Sequence, residues 1–204
     1  MPPASNSAWR FVALGTGLLA LWVAVGSPLA TLDHRLLTAH MIQHLLLMIV
    51  AAPLLLLGAP RIHLRVPPVF CWLASTLVVI GWHIPALFEL GMRSRFWHAF
   101  EHASFLAAGL LFWSPVIGRL PQWTVPVYLF LATLPCDALS AFLTFCGRPV
   151  YPHYLHAPQA LSDQELAGAL MWVVVTLAYL APAAAVTMQL LAPEGRNPTE
   201  TLAK

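Results

Sequence analysis

Two His-x-x-x-His pairs hold the side chains of this chain best suited to chemistry: His40/His44 in AHMIQHLLLM and His98/His102 in WHAFEHASFL. Residues four apart on a helix share a face, with side chains about 6 Å apart. Each pair therefore sets two imidazoles side by side. Neutral imidazole is the commonest protein metal ligand and suits copper, zinc, iron and nickel. Thioether sulfur adds a preference for Cu(I). Met48 follows His44 by four residues and Met41 precedes it by three, so one helix face offers His40, His44 and Met48, with Met41 at its edge. In the second block His98, Glu101 and His102 share a face. Glu101 can be a ligand, or can accept the second ring N–H of a ligating histidine and fix its tautomer. A further histidine, His83, sits between Trp82 and Ile84-Pro85.

The elements that must position these residues are membrane helices. The chain has 204 residues, 59% hydrophobic and only 9% charged, with a mean hydropathy of +0.75. A soluble domain is usually about 25% charged, and a helix needs about 20 apolar residues to span a bilayer. Uncharged runs predict six spans near residues 11–30, 38–58, 69–88, 98–117, 125–145 and 166–191, followed by a polar tail at 192–204. The expected fold is an all-α membrane protein, a single bundle of about six helices. Pro53, Pro85, Pro126, Pro135 and Pro182 fall within or near span ends and predict kinks, because each removes a backbone donor. The first span resembles a signal peptide in part, but it is long for one and reads as a retained helix.

Six spans put both termini on one side. That side carries Arg10, Arg61, Arg65, Arg119, Arg196 and Lys204, against Arg35, Arg93, Arg95 and Arg148 opposite. The excess of cytoplasmic Lys and Arg seen in membrane proteins then puts the termini in the cytoplasm. Histidine divides more sharply. His34, His40, His44, His83, His98, His102, His153 and His156 all fall on the non-terminal side, with only His63 opposite. The histidine-rich face is expected to be extracytoplasmic.

Three readings of that face compete. Polar groups inside a membrane are costly and default to a functional role, which favours a metal or haem site, and the first reading takes the metal to be copper, held with help from methionine sulfur. Histidines on neighbouring helices can instead be axial haem ligands, although doublets four apart suit a compact metal site better than one ligand per helix. Or they can be hydrogen-bond partners in a cofactor-free scaffold. Asp137, inside span five and just after Pro135, is read as structural or as supporting a ligand. His153 and His156 lie in the Pro- and Tyr-rich segment 146–165, and Asp163 or Ser162 reads as the N-cap of span six. Gly168 would let that span pack closely. Cys71, Cys136 and Cys146 form no C-x-x-C pair and read as packing residues, and their odd count argues against a disulfide framework. No basic patch with interleaved aromatics supports nucleic-acid binding. No nucleophile-plus-base pair or phosphate loop supports an enzyme.

Three blocks resemble the CtaG-type family of cytochrome c oxidase assembly factors. They are SPLATLDHRLLTAHMIQHLLLMIVAAPLLLLGAP (residues 27–60), WHIPALFELGMRSRFWHAFEHASFLAAGLLFWSPVIG (82–118) and LTFCGRPVYPHYLHAPQALSDQELAGALMW (143–172). The matching positions are His40, His44, Met48, Pro53, Gly58 and Pro60, then His83, Pro85, His98, Glu101 and His102, then Tyr151, Pro152, Asp163, Gln164, Gly168, Met171 and Trp172. The resemblance implies a multi-span bacterial inner-membrane protein that acts in oxidase assembly. Its partners would be nascent cytochrome c oxidase subunits and membrane lipid, and its metal copper.

Overall fold

Helices dominate because nearly every apolar run is long enough to bury its backbone hydrogen bonds internally, which a bilayer requires. The computed structural model describes residues 5–59, 66–118 and 120–192. Pro60, Arg61, His63, Arg65, Arg119 and the tail from residue 193 lie outside the described residues. Among the described residues there is no strand. The helices are α1 (Ser5–Gly26), the short α2 (Leu29–Leu32), α3 (Leu37–Leu45), a π-helical turn (Leu46–Ala51), α4 (Ala52–Gly58), α5 (Pro68–His83), α6 (Pro85–Met92), α7 (Arg95–Gly118), α8 (Val125–Phe145) and α9 (Ala160–Leu191). Among the described residues five stretches are long and apolar enough to cross a membrane, or six if the bent α5–α6 pair is one span. The fold is an all-α membrane bundle. Large side chains such as Phe11, Val69, Leu77, Leu177 and Met188 stand exposed around its outside, where a bilayer would cover them.

The third expected span is not one continuous helix. It breaks at Ile84, and α6 leaves α5 at 77°. The cause is local: a residue before proline is pushed out of the α region, and Ile84 is extended at φ −68, ψ 125. The break leaves His83 at a helix end, where its carbonyl accepts a hydrogen bond from the Tyr151 hydroxyl at 3.2 Å.

The second span is continuous but changes pitch. The Ala52 N–H bonds the carbonyl of Leu47, five residues back. The next bond in that register would run from residue 53 to Met48, and Pro53 has no N–H to give. The Trp113 indole of α7 donates to the Met48 carbonyl instead, at 3.0 Å. This is the rescue by a neighbouring helix that membrane prolines require.

The last two spans pack along each other, and Gly168 sets their separation. A Cβ there would lie 2.6 Å from Thr144 Oγ1 and 3.0 Å from the Ser140 carbonyl, so the expected close approach is present. The expected N-cap is not. Span six begins at Ala160, and Asp163 lies in its first turn with no side-chain cap before it. Asp163 caps α3 instead. Its carboxylate accepts from the backbone N–H of Leu37 at 2.6 Å and of Thr38 at 3.3 Å, and from the Thr38 hydroxyl at 2.6 Å. This carboxylate fixes the start of the helix that carries His40 and His44.

Candidate metal centre

The histidines meet at one end of the bundle. His40 and His44 occupy the first two turns of α3, His98 and His102 the first two of α7, and His83 the last residue of α5. Antiparallel packing brings these ends together. Ring centroids are 4.3 Å apart for His40/His44 and for His98/His102, 5.7 Å for His44/His102, and 6.4 Å for His44/His83. His44 also stacks on Phe105 at 3.7 Å. His40, His44, His83 and His102 are all buried.

Glu101 lies at the centre of this group. It is fully buried, and its Oε1 is 3.2 Å from His40 Nε2 and 3.4 Å from His44 Nε2. These three donor atoms all lie within 4.8 Å of one another. A buried carboxylate needs a charged or hydrogen-bonding partner. Among the described residues its ion-pair partners are histidines, with no Lys or Arg. Its Oε1 stands close enough to both ring nitrogens to serve either sequence role, as a ligand beside them or as the acceptor of a ring N–H. Gly91 of α6 makes room for it, since a Cβ at Gly91 would come within 2.5 Å of Glu101 Oε2.

The remaining atoms are poorly satisfied for a buried site. Among the described residues Glu101 Oε2, His40 Nδ1, His44 Nδ1, His83 Nε2 and His102 Nε2 have no hydrogen-bond partner, and the contact of His44 Nε2 with Glu101 is an ion-pair distance only. Buried polar groups in folded proteins are almost always paired, and the donor atoms gathered here form a group that could hold a metal ion. His83 is prepared for it. Its Nδ1 donates to the Val79 carbonyl at 2.7 Å, which leaves Nε2 as the lone-pair nitrogen, the tautomer arrangement of ligating histidines.

On the far side of His44 a small cavity of about 30 Å³ is lined by Met41, Met48, His83, Cys136 and Met171 among others. Both methionines expected at the site are there. Cys136 and Met171 were not singled out for it, because they sit on α8 and α9, remote in sequence from the histidine pairs.

His98 departs from the expected single cluster. Its ring lies over His40 at 5.8 Å, but its Nε2 faces Asp33 Oδ2 at 3.2 Å. Asp33, fully buried between α2 and α3, has no counterpart in the sequence reading. Beside it is the exposed His34, and the donor atoms of Asp33, His34 and His98 lie within 4.8 Å of one another. The loop after α8 holds this turn in place. The Tyr154 hydroxyl donates to the Asp33 carbonyl, and His153 Nε2 lies 3.2 Å from the His34 carbonyl. Burial, with the Asp33 charge next, raises the Tyr154 phenol above its ordinary value, so it remains a donor. Asp137 lies elsewhere, accepting from the Thr176 hydroxyl at 3.2 Å across the α8–α9 contact.

The family model for the cytochrome c oxidase caa3 assembly factor matches residues 3–68 and 61–192, which together span nearly the whole chain. The chain belongs to the cytochrome c oxidase caa3 assembly factor family. No curated protein and no solved structure matches it. The resemblance stated from the sequence blocks is thereby shown over the chain. As a caa3 assembly factor the protein acts on oxidase subunits in general terms, and its histidine end is the part of the bundle with chemistry to offer.

Proposed function

We propose that this caa3 assembly factor binds copper at its buried histidine centre and delivers it to, or holds it for, a nascent oxidase subunit. Copper is cargo in this reading, and the protein is not an enzyme. The observation that carries it is the convergence of His40 Nε2 and His44 Nε2 on Glu101 Oε1, amid buried ring nitrogens that lack partners. The donor set fits the ion. Imidazole and carboxylate serve Cu(II), while Met41 and Met48, lining the cavity beside His44, add the thioether sulfur that Cu(I) favours. His83 and His102 complete the ring of nitrogen donors. No thiolate cage closes the site, which suits an ion that must be released.

The setting in this reading is a bacterial inner membrane, with the termini cytoplasmic and the histidine end extracytoplasmic. The Arg and Lys distribution supports that orientation.

The close ring packing supports a compact ion over a haem. His40 and His44 lie 4.3 Å apart with Phe105 stacked on His44 at 3.7 Å, so the rings crowd around one point rather than along the two faces of a macrocycle. An absorption spectrum of the detergent-purified protein tests this directly, because a Soret band would overturn the copper reading.

The decisive experiment is copper uptake by the purified protein against His40→Ala and His44→Ala. Wild type is expected to retain copper through desalting and each variant to lose it. Equal uptake by wild type and variants would sink the proposal. A cofactor-free scaffold would show instead as full oxidase assembly in cells carrying His40→Ala with His98→Ala.

A further inference from the structure

We infer that Asp33, His34 and His98 form a second, outer metal site through which the ion reaches the buried centre, an inference that rests on the copper reading above. Two histidines and one carboxylate are a ligand set for divalent first-row ions, and among these affinity peaks at Cu(II). The donor atoms lie within 4.8 Å of one another, and His34, half exposed, has the freedom to close the remaining distance.

Two atoms point to a ligand independently of the clustering. Asp33 Oδ2 and His98 Nε2 are buried and 3.2 Å apart, yet neither makes a hydrogen bond. The other carboxylate oxygen is committed, accepting from the His34 N–H at 2.6 Å. That bond aims Oδ2 toward His98. A fully buried carboxylate whose free oxygen confronts an unaligned imidazole nitrogen is better explained by an ion between them than by the pair alone.

The site also has access and an exit. An open cleft of about 800 Å³ reaches it, with Thr31, His34, Arg95, His98 and His102 as its polar lining. Inward, His98 is 4.3 Å from His102 and 5.8 Å from His40, ring to ring. His98 therefore touches both sites, and an ion held by Asp33, His34 and His98 is one ligand exchange away from the His40–His44–Glu101 group.

The test is Cu(II) titration of the detergent-solubilised full chain, followed by electron paramagnetic resonance and stopped-flow optical uptake. Wild type is expected to show two distinct Cu(II) signals. His34→Ala, at an exposed position, is expected to lose one signal, keep the other, and fill the buried site at least tenfold more slowly. Asp33→Asn, which keeps the bond to the His34 N–H, should lose the same signal. His44→Ala should lose the other and keep the outer one. A single wild-type signal that survives His34→Ala with unchanged uptake rate overturns the outer site and leaves the buried centre standing. No bound copper in any form overturns both. Loss of both signals in a His34→Ala protein with unaltered melting overturns two separable sites.

Discussion

Gly91 and Glu101 are in contact across the α6–α7 junction so closely that a single methyl on Gly91 would lie 2.5 Å from the carboxylate Oε2. The bend at Ile84 turns α6 back over the start of α7, and the missing side chain lets Glu101 reach both His40 and His44. Gly91→Ala is therefore expected to displace Glu101 and weaken copper binding by about 10-fold or more, the scale found when support for ligands is removed. Adding Glu101→Asp, which withdraws the carboxylate by one methylene, should recover part of the loss. Competition with a chromophoric copper chelator measures both.

Asp163→Ala removes the acceptor that holds the first turn of α3 from the other end of the chain. Loss of a helix cap costs about 0.5–2 kcal/mol, and the upper part of that range is expected because two backbone donors and the Thr38 hydroxyl lose their partner together. Asp163→Asn should cost less, since it keeps one acceptor oxygen. Unfolding in detergent with increasing denaturant reads the difference.

Trp113→Phe should destabilise the bundle by about 1–3 kcal/mol, the cost of leaving a buried carbonyl unpaired, because the Met48 carbonyl has no backbone donor in the π register. Pro53→Ala restores an N–H at the right place. The double variant is then expected to be more stable than Trp113→Phe alone, and a double-mutant cycle by thermal unfolding checks it.

Copper retention should fall once the pH is low enough to protonate the ring nitrogens that hold the ion. Ligation requires neutral imidazole, so protons compete with the ion and binding releases them. The sign is set: lower pH favours the protonated rings and the free ion. Chelator competition in a pH series carried down to loss of the bound ion would show it, and release of copper with no uptake of protons would argue against histidine ligation.

Much of this architecture was legible in the sequence, for particular reasons. Apolar runs gave about six candidate spans, because length and composition alone decide whether a helix can cross a bilayer, but the bend at Ile84 within the third was not marked by them. The two histidine pairs declared their common end of the bundle because antiparallel order follows from counting spans. Asp33 was not legible. It looks like one more interfacial charge between spans, and the Tyr154 hydroxyl that ties down its carbonyl comes from 121 residues away. Asp163 misled for a related reason: an acidic residue in a first turn has the same local pattern whether it caps its own helix or a neighbour's. The contribution of Cys136 and Met171 to the cavity beside His44 depends on how α8 and α9 pack, which no local spacing encodes.

The π turn at Leu46–Ala51 also sets the angular phase of the whole second span. Successive residues of an α-helix are rotated by about 100° around the axis, and a π turn absorbs roughly one extra residue without breaking the rod. Deleting a single residue there would let the segment relax to an ordinary helix of similar length. The half that carries His40 and His44 would then keep its phase relative to the half after Pro53, whereas a deletion in the α-helical part of the span would turn one against the other by about 100°, so the π turn is the one place where the span can lose a residue without swinging the imidazoles out of the bundle.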